Sequence, residues 1–170
     1  MKQFFVGLLL GVALVFASGL ICLFSGGIPM STTRGPLPLE KKIAHIALKA
    51  SMKGETEKPS PLEASEPNLI KGAEVYRVNC AVCHGIPNQN PSAIAQGLFP
   101  PAPQLMPPHK GVTDDSIGEI YWKVKNGIRF TGMPGFSKTL SDTEMWQVSE
   151  LLLHADKISQ DVKNVLEKTL

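Results

Sequence analysis

Several things are scarce in this 170-residue chain, and each scarcity excludes a class of protein. There are three cysteines, Cys22, Cys80 and Cys83, too few to staple a disulfide scaffold. No excess of one charge exists: 17 basic side chains face 15 acidic ones, six against five over residues 25–67 and ten against ten over residues 68–170. A nucleic-acid binder needs a concentrated basic face, and this even distribution supplies none. Apolar residues make up 43% of the chain, but 17 of them fall in the 21 positions from Phe4 to Phe24. Outside that run the apolar share drops to about 38%, low for a packed globular chain. A large enzyme with its own extensive core is therefore excluded as well.

The Phe4–Phe24 run carries no charge. At ~1.5 Å per residue it reaches about 31 Å, enough to cross the hydrocarbon layer as a helix. Residues 1–24 thus read as a membrane anchor or a signal segment. A cleavage site after Ala17-Ser18-Gly19 competes with the anchor reading, but the apolar run continues through Leu20, Ile21, Cys22, Leu23 and Phe24, which favours an uncleaved anchor. Lipid attachment at Cys22 is the third reading, and Ile21 is bulkier than the residue expected there. Lys2 is the one positive side chain before the span. All three readings export the remainder of the chain across the membrane, and the anchor reading places it, in single-pass form, on the outer face of a bacterial inner membrane.

Residues 25–67 read as a periplasmic linker. Gly26, Gly27, Pro29, Gly35, Pro36 and Pro38 interrupt regular structure, and prolines recur at 59, 61 and 67. Between them, Leu39, Ile43, Ile46, Ala47 and Ala50 recur at helical spacing and predict a short helix, its apolar face lying on a surface or docking a partner. A flexible linker of about 40 residues has an r.m.s. reach near 35 Å.

Chemistry concentrates in Cys80-Ala81-Val82-Cys83-His84. Two thiols three residues apart on a helical turn share one face and can add to the two vinyl groups of a haem, while the next residue swings its imidazole under the iron. A closed zinc site wants four ligands, and no second cysteine pair is present. A redox dithiol needs no histidine at the next position. The pattern therefore points to one covalently attached haem c.

The sequence here resembles the class I cytochromes c over approximately residues 68–157. The marks are Gly72-Ala73-Glu74-Val75-Tyr76 leading into Cys80-Ala81-Val82-Cys83-His84-Gly85, then Gly132-Met133-Pro134-Gly135-Phe136, then a last helix with Trp146. Within that family it looks most like the membrane-anchored monohaem bacterial cytochromes. The resemblance implies an all-α fold: a helical domain over residues 68–158 wrapped around one haem, with His84 proximal and a downstream methionine distal, succeeded by a helical tail at 159–170. It also implies that the first and last helices cross where Gly72 and Tyr76 meet Trp146.

Among the six methionines, Met1, Met30 and Met52 precede the domain, and Met145 falls on the apolar face of a helix. Met106 lies 22 residues after His84, with no intervening helix. Met133 lies 49 residues after it, past one helix and between Gly132 and Pro134, which suit a loop held close to a ring. Met133 is taken as the second iron ligand beside His84, with Met106 and His109 as alternatives. His45 is assigned to the linker and His154 to the surface.

Local signals place the remaining helices. One runs from about Asn68 through Leu69, Ala73, Tyr76 and Cys80; a second starts near Thr113, with Asp114 and Asp115 in its first turn, and stops at Asn126-Gly127. A third opens on the capping box Ser141-Asp142-Thr143-Glu144 and buries Met145, Val148 and Leu152. Val162, Val165, Leu166 and Leu170 suggest that it resumes as the tail. The proline-rich stretch 85–112 is expected to wall the haem edge. Tyr121, Trp122 and Arg129 are candidate donors to the haem propionates.

These elements predict a membrane-tethered carrier of single electrons between redox protein partners, not an enzyme. The alternative is a fixed haem subunit of a larger oxidoreductase, for which Gly7 and Gly11 in the span would permit helix packing.

Overall fold

The computed structural model describes residues 1–168; Leu170, the last apolar position assigned to the tail, lies outside the described residues. Within them every regular element is helical: α1 (Lys2–Phe24), α2 (Glu40–Ser51), α3 (Glu66–Asn79), α4 (Ala81–His84), α5 (Ala93–Gly97), α6 (Ile117–Asn126), α7 (Asp142–Leu153) and α8 (Gln160–Glu167), with a 3-10 turn at Ala155–Lys157. The chain forms two compact units, Met1–Lys41 and the residues from Lys42 onward.

In the first unit α1 buries none of its residues. Its 23 residues are long and apolar enough to cross a membrane.

In the second unit α3 packs against α7 and α8, and α6 packs against α7. Ser65 stands at the N-cap position of α3, and Pro67 lies in its first turn, where a missing N–H costs nothing. The α3–α7 crossing is close because Gly72 has no side chain: a Cβ there would strike the Gln147 carbonyl oxygen and come within 3.1 Å of Leu151 Cβ. The expected family crossing is present, but the partner of Gly72 is the α7 backbone. Trp146 instead stacks on Tyr121 of α6, with ring centroids 3.8 Å apart.

The α7 capping box forms as its residues predict. Glu144 N–H donates to Ser141 Oγ at 3.3 Å, and Ser141 N–H donates to Glu144 Oε2 at 2.8 Å. The start of α6 differs from expectation: it begins at Ile117, capped by Ser116, whose Oγ accepts from Glu119 N–H at 3.3 Å. Asp114 and Asp115 lie before that cap and pair with Lys110 and Lys123 at 2.8 and 2.9 Å. A serine side chain can satisfy an N–H directly, which decides the boundary over two carboxylates favoured only by the helix dipole. The stretch 85–112 also holds the short helix α5, capped by Ser92, where only loop was expected.

Val162 and Leu166 of α8 are fully buried, so the tail belongs to the core. So does Met52, which is 1% exposed although composition places it in a linker. The predicted apolar face of α2 is not the one used: Ile43 and Ile46 are exposed, and Leu48 is the half-buried apolar residue of the helix.

At the α6–α7 contact Tyr121 Oη donates to Asp142 Oδ1, and Lys125 Nζ donates to Tyr121 Oη at 3.1 Å. The Tyr121 hydrogen bond, aided by Lys125, holds the Asp142 carboxyl below its ordinary value. A depressed pKa stabilises the fold above the unfolded-state value and loses that contribution as pH falls through the folded one.

This packing makes two substitutions informative. Gly72→Ala gains about 1 kcal/mol of helix propensity but overpacks a backbone contact, at a cost of about 1–3 kcal/mol. The urea midpoint of the haem-loaded protein is therefore expected to fall, and a rise would mean the crossing is loose. Asp142→Asn is expected to lower that midpoint at pH 7 and to converge with the parent as pH drops below about 3.9, the free carboxyl value; a constant offset across pH would rule out the carboxylate as the cause.

Candidate functional site

Helix α3 ends at Cys80, whose N–H donates to the Tyr76 carbonyl at 2.8 Å. One further turn, α4, comes next. Cys83 N–H and His84 N–H both donate to the Cys80 carbonyl, at 3.1 and 2.9 Å. The motif is thus helical, as its spacing requires, and residues three apart share a face.

Gly85 ends this turn at φ +73°. The positive φ suits glycine, and a Cβ on Gly85 would meet the end of the Gln104 side chain in the strap 103–105 that passes over the turn. One hydrogen bond ties the turn to α3 and two tie it to the strap. Tyr76 Oη donates to the Gly85 carbonyl at 2.7 Å, Leu105 N–H donates to the His84 carbonyl at 3.2 Å, and His84 Nδ1 lies 2.8 Å from the Pro103 carbonyl. A carbonyl oxygen only accepts, so Nδ1 carries the proton and Nε2 keeps its lone pair for a metal. Burial holds the imidazole below its ordinary pKa, against a smaller opposing pull from Pro103. Burial, then the neighbouring Cys83, pushes the Cys80 thiol up to about 12. The Tyr76 hydroxyl is shifted upward chiefly by burial.

Cys80, Cys83, His84 and Met133 all line one cavity of about 250 Å³ whose other walls are mainly apolar, including Ile120 and Val124 of α6. The Met133 loop is built on the C-terminus of α6. Phe136 N–H and Ser137 N–H donate to the Val124 and Lys125 carbonyls at 3.0 and 3.2 Å, which a helix end would otherwise leave unpaired. Met133 itself is pinned at both backbone atoms: its N–H donates to Thr131 Oγ1 at 3.1 Å, and its carbonyl accepts from Ile128 N–H at 3.1 Å. Gly127, at φ +67°, allows the approach, since a Cβ there would sit 2.5 Å from Gly135 N and from Pro134 C.

The other candidates separate cleanly. Met106 and Met145 are buried in the core, and neither lines the cavity. His45 and His109 are exposed. His154 is half-buried, with Nδ1 3.5 Å from the Glu150 carboxylate. None of Tyr121, Trp122 and Arg129 lines the cavity: Tyr121 is committed to Asp142, and Arg129 is exposed. The polar side chains on the cavity are instead Asn79, Lys123 and Thr131.

Burial opposes the charge of Lys123, but its hydrogen bonds with Glu119 and Asp115 outweigh that and hold its pKa above the ordinary value. The sequence carried signals for these three. Asn79 adjoins Cys80, Thr131 lies two residues before Met133, and Lys123 sits one helical turn from Ile120. Leu48 also lines the cavity, and no local pattern announced it.

This arrangement could hold a flat apolar macrocycle carrying a metal. Two thiols stand on one turn, a neutral imidazole has one nitrogen free, a thioether shares the cavity, and the walls are apolar. Among the described residues no group of three or more His, Cys, Asp or Glu side chains is disposed to hold a bare metal ion.

Comparison with known proteins agrees with this chemistry. The chain is 28% identical over 116 residues to the thiosulfate dehydrogenase of Thiomonas intermedia (strain K12), an alignment covering 66% of this chain and 32% of that one. It thus spans about a third of the length of that relative. A chain from the reducing HAO-like protein complex of Kuenenia stuttgartiensis aligns with 23% identity and a TM-score of 0.45, over 70% of this chain and 61% of that one. The family model for cytochrome c oxidase, cbb3-type, subunit III matches residues 67–152, half of the chain, so the protein belongs to that family and is an all-helical c-type cytochrome with covalently bound haem c.

Proposed function

We propose that the protein is a membrane-tethered carrier of single electrons, in which Cys80 and Cys83 bind the haem and His84 and Met133 ligate its iron. The observation that supports this reading is the meeting of all four residues on one apolar cavity, with His84 Nδ1 already committed to Pro103. When bound, haem c supplies an iron centre that takes up and returns one electron at a time.

The chain's own residues set how that centre behaves. Each cysteine thiol adds across one vinyl group, sulfur to one carbon and hydrogen to the next, and so makes attachment permanent. His84 presents Nε2, and the hydrogen bond at Nδ1 both orients the ring and raises its basicity. Met133 brings a neutral, soft sulfur that favours ferrous iron and raises the potential above that of a two-histidine site. His84 and Met133 would together hold the iron of a bound haem, which would leave it no open coordination position for dioxygen or peroxide. Electron exchange, rather than substrate turnover, is the activity that suits this ligand set.

Helix α1 is the tether, and Lys2, the one charged side chain of that helix and its first residue, favours export of the cytochrome domain to the outer face of a bacterial inner membrane. Partners would be redox proteins reached from that membrane. A second reading makes the chain a fixed haem subunit of a larger oxidoreductase, and it is favoured by the description of its family as an oxidase subunit.

Met133→Leu is expected to keep its haem through acid-acetone extraction, to lose the sulfur-to-iron charge-transfer band and to drop in potential. Persistence of the band would assign the sulfur to another methionine. Purification in mild detergent separates the two readings: a carrier migrates at the mass of one haem-loaded chain, whereas stoichiometric companion chains would replace the carrier by the subunit.

A further inference from the structure

The segment ahead of the cytochrome domain contributes to the haem cavity. Leu48, near the end of α2, lines the same cavity as Cys80, His84 and Met133. Four residues on, Met52 is 1% exposed. Successive turns carry the chain from there: Met52 N–H donates to the Leu48 carbonyl at 3.2 Å, Glu55 N–H to the Met52 carbonyl at 3.0 Å, and Lys58 N–H to the Glu55 carbonyl at 3.1 Å.

These turns lie directly on α6. A Cβ at Gly118 would strike the Glu55 carbonyl and come within 2.8 and 3.0 Å of the Thr56 and Lys58 carbonyls. Lys58 Nζ stands 5.6 Å from the centroid of the Tyr121 ring, the ring that stacks on Trp146. Helix α6 is also the element that supplies Ile120, Lys123 and Val124 to the cavity. The segment is therefore docked on the helix that walls the site, and its own Leu48 completes the wall.

We propose that residues 42–58 form a wall of the haem cleft that precedes the matched cytochrome region at 67–152, and that Leu48 is a positioning residue limiting water at the ring. The inference rests on the reading that haem c occupies this cavity. An apolar wall disfavours the extra charge of the ferric state, so Leu48 raises the reduction potential without touching either axial ligand. Docking of this segment also shortens the free connection. Only residues 25–39 separate α1 from α2, with an r.m.s. reach of about 21 Å in place of about 35 Å.

The test uses the full haem-loaded chain in mild detergent, with three variants and hydrogen exchange. Haem content and a low-spin spectrum are read first, and absence of haem overturns the underlying reading rather than the wall. Given haem, Leu48→Asn is expected to shift the midpoint potential downward with the methionine charge-transfer band intact. Ile46→Asn, at a residue 58% exposed on the same helix, is expected to leave the potential at the parent value. Gly118→Val is expected to speed amide exchange over residues 42–58 and to reproduce the downward shift. The wall is overturned if haem-loaded Leu48→Asn keeps the parent potential, or if residues 42–58 of the unmodified protein exchange as fast as residues 25–39. The exchange measurement needs no variant, so it decides the matter even where a substitution prevents folding.

Discussion

An imidazole serves as a fixed metal ligand only when one ring nitrogen is tied down and the other is left bare. The bond between His84 Nδ1 and the Pro103 carbonyl meets that requirement. Pro103 can reach the ring only because the strap passes close over the motif turn. The strap in turn depends on Gly85, on Leu105 N–H donating to the His84 carbonyl, and on the Tyr76 hydroxyl holding Gly85 from below. Tyr76 sits on α3, and α3 is placed by its contact with α7 through Gly72. The helix crossing is thus what aims the histidine, through a chain of contacts that can each be named.

Helix α6 organises the other half. Its last carbonyls accept from the loop that carries Met133, its apolar face lines the cavity, its Tyr121 stacks on Trp146, and its Gly118 admits the backbone of residues 55–58. One ten-residue helix thereby couples the methionine loop, the core and the segment that precedes α3. A small domain with few aromatic residues gains rigidity this way. The methionine loop is fastened to a helix end whose carbonyls needed partners in any case.

Much of this was legible in the residues. The Cys80–His84 pentapeptide, the uncharged run from Phe4 to Phe24, the capping box at Ser141 and the stop at Asn126-Gly127 are local signals, and local signals survive without knowledge of the fold. The methionine that lines the cavity could be picked from six because Gly132 and Pro134 flank it. What misled was composition. Met52 and Leu48 lie in a stretch rich in lysine, glutamate and proline that reads as solvated linker, yet one is buried and the other lines the cavity. Tyr121, Trp122 and Arg129 had the right chemistry for carboxylates, but α6 turns Tyr121 toward Asp142, and Arg129, in the loop after that helix, is exposed.

Cofactor chemistry, helical class and the presence of a lipid-compatible span were all written in the order of residues. Each depends on residue types at fixed separations along the chain, and a helical turn converts those separations into shared faces. Which surfaces close the cavity, that Trp146 stacks on Tyr121, and that residues 42–58 belong with the domain emerged only on folding. Those outcomes depend on which distant backbones can approach each other, and close approach at Gly72 and Gly118 is a property of two elements together that neither stretch of sequence carries alone.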